Sequence, residues 1–190
     1  GPDARVAARF KVYPFKTVEA GAIINSSIIW ESKGARSLFG RDGISGLANV
    51  DISPELAARV AMAFATTLRK DTTVITSRDS SRAARMLKRA FMAGLNASGI
   101  NVLDLEVAPV PVTRFLTRQP VATAGVTIRL VEGDSQSVMI RFFDRDGIDI
   151  TEDAQRKIER LIGREDFRRV LASEIGDIGF PPRALEQYTA

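Results

Sequence analysis

Residues 72 to 107 constrain the fold of this chain most. "TTVITSRD" is a short β-branched run. "SSRAARMLKRAFMAGLNASG" follows, with Met86, Leu87, Ala90, Phe91 and Leu95 at helical spacing. Ser80 or Ser81 is placed to cap that helix, and Gly99 to end it. "INVLDLEV" is then a second strand. Strand, helix and strand in so short a span form a βαβ unit, which demands a parallel pair and a right-handed crossover. The pattern therefore points to an α/β fold.

The neighbouring segments fit that frame. "DISPELAARVAMAFATTLRK" has Ser53 as N-cap, Pro54 at the first helical position and Glu55 in the first turn. Leu56, Val60, Ala63, Phe64 and Leu68 form its apolar stripe. "APVPVTRFLTRQ" is a Pro-marked turn entering a short helix. "GVTIRLVEGDSQSVMIRFF", residues 125 to 143, has two alternating runs around a polar centre and predicts a β-hairpin. "DRDGIDI" is a tight Asp-Gly turn, and "TEDAQRKIERLIG" is a third amphipathic helix starting at Thr151. Residues 166 to 190, "DFRRVLASEIGDIGFPPRALEQYTA", read as a connector broken at Pro181-Pro182, its last residues opening another helix.

The first 36 residues follow another rule. Val12, Val18, Ile24 and Trp30 recur every six residues, with Ala20-Gly21-Ala22 and Asn25-Ser26-Ser27 between them. That period marks a hexapeptide β-helix, and the competing reading is two short strands in a meander. One or two coils cannot bury their own faces. The segment is therefore expected to end a longer helix, and in isolation to seek a second copy of the chain.

Composition removes several chemistries. The chain has no Cys and no His. Thiolate metal sites, Cys nucleophiles and His-based acid/base catalysis are excluded, and with them a Ser-His-Asp triad. No run of 18 apolar residues suggests a membrane span, and "GPDARVAARF" lacks an apolar export core, so a cytoplasmic location is expected. Net charge is +4 and arginine dominates the cations. A GC-rich genome explains that bias, and so would anion binding, because the guanidinium fork suits phosphate. No aromatic residues interleave with the basic ones, so nucleic acid is not an expected partner.

In order and spacing these pieces resemble domain I of the α-D-phosphohexomutases, the phosphomannomutase and phosphoglucomutase family. "FGRDGISG", Phe39 to Gly46, matches the family's opening motif, although the motif's arginine is Ser45 here. "SRD", Ser77 to Asp79, resembles its Gly-Arg-Asp. "AGLNASGINVLDLEVAPVPVTRF" resembles its helix, strand and Thr-Pro-Val turn. The likeness covers roughly residues 38 to 165. It implies a three-layer α/β/α fold with a mixed sheet for residues 37–165, after a β-helix-like arm over 1–36 and before a connector over 166–190.

The family's next element is the loop whose serine carries the exchanged phosphate. Gly125 to Phe143 aligns with it without a gap. The flanks Gly125, Val126, Ile128 and Ile140 to Phe143 agree. The serine position is Val131, and Glu132, Gly133 and Asp134 stand where the family has His, Asn and Pro. Valine has no nucleophilic oxygen, and Ser135 and Ser137 fall four and six residues too late. The resemblance thus implies a non-catalytic domain with no catalytic residue in this chain, serving a structural, oligomerising or regulatory role. The alternatives are a fragment of a working mutase, or a module sensing a sugar phosphate or nucleotide. The family's metal loop and sugar-phosphate domain lie further C-terminal, so Mg²⁺ is expected only there.

A β-helix before a mutase-like domain resembles mannose-1-phosphate guanylyltransferase-like proteins, whose nucleotidyltransferase domain comes first. The candidate anion site is Arg41, Arg78, Ser80, Arg82 and Arg129, with the start of the second helix among them. In the competing reading these arginines pair with Asp42, Asp79 and Glu132 and stay solvated. Arg82, Arg85 and Arg89 share a helix face that reads as exposed or as a domain contact.

Overall fold

The computed structural model describes residues 37–189 and the two short strands β1 (Arg5–Val6) and β2 (Ile23–Ile24). Two compact units result, residues 1–37 and residues 38–190. In the first, β1 and β2 pair in parallel, Arg5 with Ile23 and Val6 with Ile24. Partners stand eighteen residues apart, three six-residue periods. Val12, Val18 and Trp30 lie outside the described residues, as does most of the arm expected to join a second copy.

The second unit is built on one six-stranded mixed sheet, ordered β3-β7-β6-β4-β5-β8. Its strands are β3 (Ile44–Leu47), β4 (Thr73–Arg78), β5 (Asn101–Val107), β6 (Ala124–Val131), β7 (Asp134–Phe143) and β8 (Ile178–Gly179). β4 pairs in parallel with both β5 and β6, and β5 with β8. β7 runs antiparallel to β6 and β3. The predicted βαβ unit and hairpin are thus both present, inside one mixed sheet.

Helices cover both faces, as the three-layer reading requires. α1 (Pro54–Thr67), α2 (Arg82–Ala97) and α4 (Glu152–Arg164) share the main core with Val74, Val102, Val126, Ile128, Ile140 and Phe142. α3 (Val110–Thr117) covers the other face through Val112, Leu116 and Ile75. A short α5 (Ala184–Thr189) leans on α3, with Tyr188 edge-on to Phe115. Ser53 caps α1 through Leu56 N, Ser81 caps α2 through Ala84 N, and Thr151 caps α4 through Ala154 N. Each hydroxyl satisfies a backbone donor that the first helical turn leaves unpaired.

The two faces of the sheet are packed in different ways. Phe142 sits at the centre of the main core, with Phe39, Phe64 and Phe91 at 5.4, 5.1 and 5.9 Å between ring centroids. Under α3 a buried row of hydroxyls runs beside the apolar contacts. Thr113 donates to Ser77 (2.7 Å), Ser77 to Thr127 (2.9 Å) and Thr117 to the Thr113 carbonyl (2.8 Å), all four side chains fully buried. A Cβ on Gly125 would collide with the Thr117 hydroxyl, so glycine is required there.

Residues 166–179, read from sequence as a connector, form a strap along the helix ends. Arg168 sends its guanidinium to three carbonyls, Ala65 and Leu68 at the end of α1 and Ser98 after α2, each at 2.8 Å. Its own N–H donates to Thr66 Oγ1 and its carbonyl accepts from Ser98 Oγ. The strap then adds β8 beside β5.

Candidate functional site

Strand order reverses around β4. The chain leaves β4 through α2 toward β5, then returns through α3 on the opposite face to β6. In open α/β sheets a crevice forms at such a point, outside the carboxyl ends of the strands. Here its floor is Arg78-Asp79-Ser80-Ser81 after β4, the ends of β5 and β6, and the turn of the β6–β7 hairpin.

Asp79 organises this corner. Its Oδ1 accepts the Ser81 N–H (2.9 Å) and its Oδ2 accepts the Leu130 N–H (2.7 Å), tying the start of α2 to β6. Burial pushes the Asp79 carboxyl up. The bonds from Ser81 and Leu130, with the charge of Arg129, outweigh that and hold it below its ordinary value. Its stabilising contribution is then complete above the unfolded value of 3.8 and is lost as pH falls through the lower folded value. Urea midpoints should show it. Asp79→Asn should cost under ~1 kcal/mol near pH ~6, and the gap to the parent should close toward pH ~2. A gap that widens in acid would exclude this role.

The sequence-predicted anion residues do not meet at one point. Arg78 is buried on the α2 face, donating Nη1 to the Asp79 carbonyl (2.8 Å) rather than to a carboxylate. Arg129 lies on the α3 face, donating Nη1 to the Ala108 carbonyl (2.7 Å) just before α3. Ser80 and Arg82 are exposed between them, and Arg85 and Arg89 continue an exposed stripe along α2. Arg41 is exposed and apart. Ile44, Ile140, Ile128 and Arg78 form one row across the sheet, so Arg41 precedes a strand three places from β4. The Gly-rich turn holding Arg41 is shaped by Gly43, at φ 143° and too close to the Ile140 carbonyl for any Cβ. Ser45 falls in the row of Met139 and Arg129.

At the hairpin, Val131 closes β6 and pairs with Asp134 across a two-residue turn, Glu132-Gly133. Gly133 takes φ 76°, which the turn needs. The Asp134 carboxylate accepts N–H bonds from Gln136 (2.8 Å) and Ser137 (3.2 Å). The Ser137 hydroxyl, then the Gln136 N–H, hold that carboxyl below its ordinary value. The Asp134 carboxylate is thus engaged by the backbone of its own turn. Among the described residues, no group of three or more acidic side chains could hold a metal ion.

Sequence reading missed a charged pair beneath the corner. Lys88 of α2 contacts both carboxylate oxygens of Asp104 on β5, and both side chains are buried. Burial pushes the Lys88 ammonium below its ordinary value, against the pull of Asp104. Its signal was positional: Asp104 follows Val102 in the inward register of β5, and Lys88 follows Ala84 by one helical turn. A second group, Arg114, Asp149 and Arg141, ties the loop after β7 to α3, with both guanidinium groups over the Phe143 ring.

Comparison with known proteins agrees with this architecture. Residues 36–169 match a family model described as phosphoglucomutase/phosphomannomutase, alpha/beta/alpha domain I. A probable phosphoglucosamine mutase of Pyrococcus horikoshii is 39% identical over 140 residues, covering 74% of this chain and 31% of that protein. A phosphoglucomutase/phosphomannomutase of Thermococcus kodakarensis is 32% identical over 145 residues, covering 74% and 32%. The chain therefore spans about a third of the length of the relatives it matches. In structure, a phosphoglucomutase/phosphomannomutase family protein of Burkholderia thailandensis superposes with a TM-score of 0.68 at 19% identity, covering 76% of this chain and 32% of that one, which speaks to fold alone. With the sheet order, the three layers and the sequence match in accord, this chain belongs to the phosphoglucomutase/phosphomannomutase family and carries its alpha/beta/alpha domain I.

Proposed function

We propose that this is a catalytically silent phosphohexomutase domain I, with a structural or regulatory role in a longer mannose-1-phosphate guanylyltransferase-like protein. The observation that carries it is the hairpin. The position aligned with the family's phosphate-carrying serine is Val131, the last ladder residue of β6, and no hydroxyl stands at the turn beyond it. The eighteen-residue offset between β1 and β2, with the six-residue period around it, supports the β-helix part of the reading. On this reading Mg²⁺ and the transferred nucleotide belong to other parts of the protein, which works in the cytoplasm without nucleic acid or membrane and forms homo-oligomers.

The full-length protein, given a hexose 6-phosphate, Mg²⁺ and a hexose bisphosphate, should form no hexose 1-phosphate above background. Val131→Ser should leave it equally inert, because the new hydroxyl sits in the ladder. Turnover that vanishes on replacing any residue of 131 to 137 would refute the proposal.

A retained anion corner is compatible with lost catalysis, and one observation favours it. Arg129 is part-buried at the crevice; among the described residues its guanidinium donates to the Ala108 carbonyl and lies within the field of Asp79, with Ser80, Arg82 and the start of α2 beside it. On this second reading Ser80, Arg82 and Arg129 serve a sugar phosphate or nucleotide, and Arg78, buried on the other face of the sheet, takes no part. Nor does Arg41, set apart in the sheet.

A further inference from the structure

The Lys88–Asp104 pair has no role in either reading, yet it lies directly under the corner. Replacing a buried ion pair by apolar side chains of similar volume is often neutral or stabilising. Its presence therefore asks for another explanation, and the hydrogen bonds around Asp104 give one.

Asp104 Oδ1 also accepts the Glu106 N–H (2.8 Å) and the Thr76 hydroxyl (3.4 Å). Glu106 is left-handed, φ 56°, a conformation a side chain other than glycine resists. At this point β5 slips against β4. Thr76 faces Asp104, but Arg78 faces Val107, so β5 carries one residue more than its partner. Glu106 is therefore the strained residue of a β-bulge, and its N–H is tied down by Asp104. The bulge sets Ala108, whose N–H donates to the Arg78 carbonyl (3.2 Å) and whose carbonyl receives Arg129 Nη1 (2.7 Å). Lys88 holds both Asp104 oxygens from the helix side, so the acceptor cannot turn away.

We propose that Lys88 and Asp104 are positioning residues for Arg129: they clamp the Glu106 bulge, and the bulge presents the carbonyl that aims the guanidinium at the crevice. This rests on the anion-corner reading for its purpose, but not for its geometry. The ligand class it serves is a phosphate monoester such as a hexose 1-phosphate.

The test uses the full chain labelled with ¹⁵N, following the Arg129 side-chain signals, assigned by their loss in Arg129→Lys. In the parent, the bonded Nη protons should be resolved and slow to exchange, and mannose 1-phosphate should shift them. Lys88→Leu/Asp104→Leu fills the site with apolar volume but gives Glu106 no acceptor. It should keep its melting temperature within a few degrees, lose the resolved Arg129 signals and bind mannose 1-phosphate at least ~10-fold more weakly. Adding Glu106→Gly removes the strain that needed the clamp, and should restore both. A folded double variant with unchanged Arg129 signals, or a loss that Glu106→Gly does not repair, overturns the proposal. Lys88→Met/Asp104→Asn provides a check should the leucine pair fail to fold. It keeps an acceptor for Glu106, so Arg129 must stay held, and its release would overturn the clamp equally. A parent whose Arg129 is held by the pair but ignores mannose 1-phosphate would end the anion-corner reading and leave the positioning intact.

Discussion

Phe142→Ala should lower the stability of the 38–190 unit by about 4 kcal/mol, the largest effect expected of a single substitution in this core. Phe142 is 2% exposed on β7 and is the ring that Phe39, Phe64 and Phe91 all face. Truncation removes the buried ring and leaves a cavity that three neighbours cannot fill at once. Each comes from a different element, the Gly-rich turn, α1 and α2, so collapse in one direction opens a gap in another. Phe142→Leu should recover more than half of the loss, because most of the volume returns. Urea denaturation measures both. A cost under ~1 kcal/mol for the alanine variant would show that the cluster is not the keystone of this core.

The second large effect is expected from Arg168→Ala, about 3 kcal/mol. Hydrogen bonds to a charged donor contribute roughly 1.5–3 kcal/mol each, and partial exposure of Arg168 reduces the total for its three. Burial holds the guanidinium below its usual value, the mark of a cation drawn in to satisfy carbonyls. Those carbonyls end two helices, where the macrodipole also favours a cation. Lysine can reach one carbonyl but cannot span three, so Arg168→Lys should recover no more than about a third. The melting temperature of the alanine variant should fall by roughly 10 °C. Amide exchange in the last turns of α1 and α2 should quicken with it. A fall of under ~2 °C would mean that water replaces the guanidinium without cost.

Local signals in the sequence carried some of this structure and not the rest. The helices were legible because their caps and stripes are local. Ser53, Pro54 and Glu55 announce α1, and Gly99, at φ 74°, ends α2 as expected. The hairpin was legible from alternation. β3 was not, since Ile44 to Leu47 reads as Gly-rich turn and becomes a strand only by borrowing the ladder of β7. No local pattern marks Arg168, and only the meeting of two helix ends, about 70 and 100 residues away, gives it work. Lys88 and Asp104 hid for a related reason, since each is a charged residue that ordinarily faces water. For the site, the composition of the corner was readable and its geometry was not. Side-chain alternation along β4 and β6 sends Arg78 and Arg129 to opposite faces, a consequence of register that spacing alone does not reveal.

The hydroxyl layer under α3 bears on motion. Apolar interfaces between a helix and a sheet can slide by small repackings, which is how shear movements arise. The Ser77, Thr113, Thr127 and Thr117 contacts offer no such continuum. Each bond is directional, and a shift of α3 by even a fraction of its ~5.4 Å pitch breaks the set while pressing Thr117 onto Gly125. α3 and the strands beneath it therefore move as one rigid slab. Any displacement of this domain against the rest of its protein has to be taken up by a hinge outside that slab, not by slippage within it.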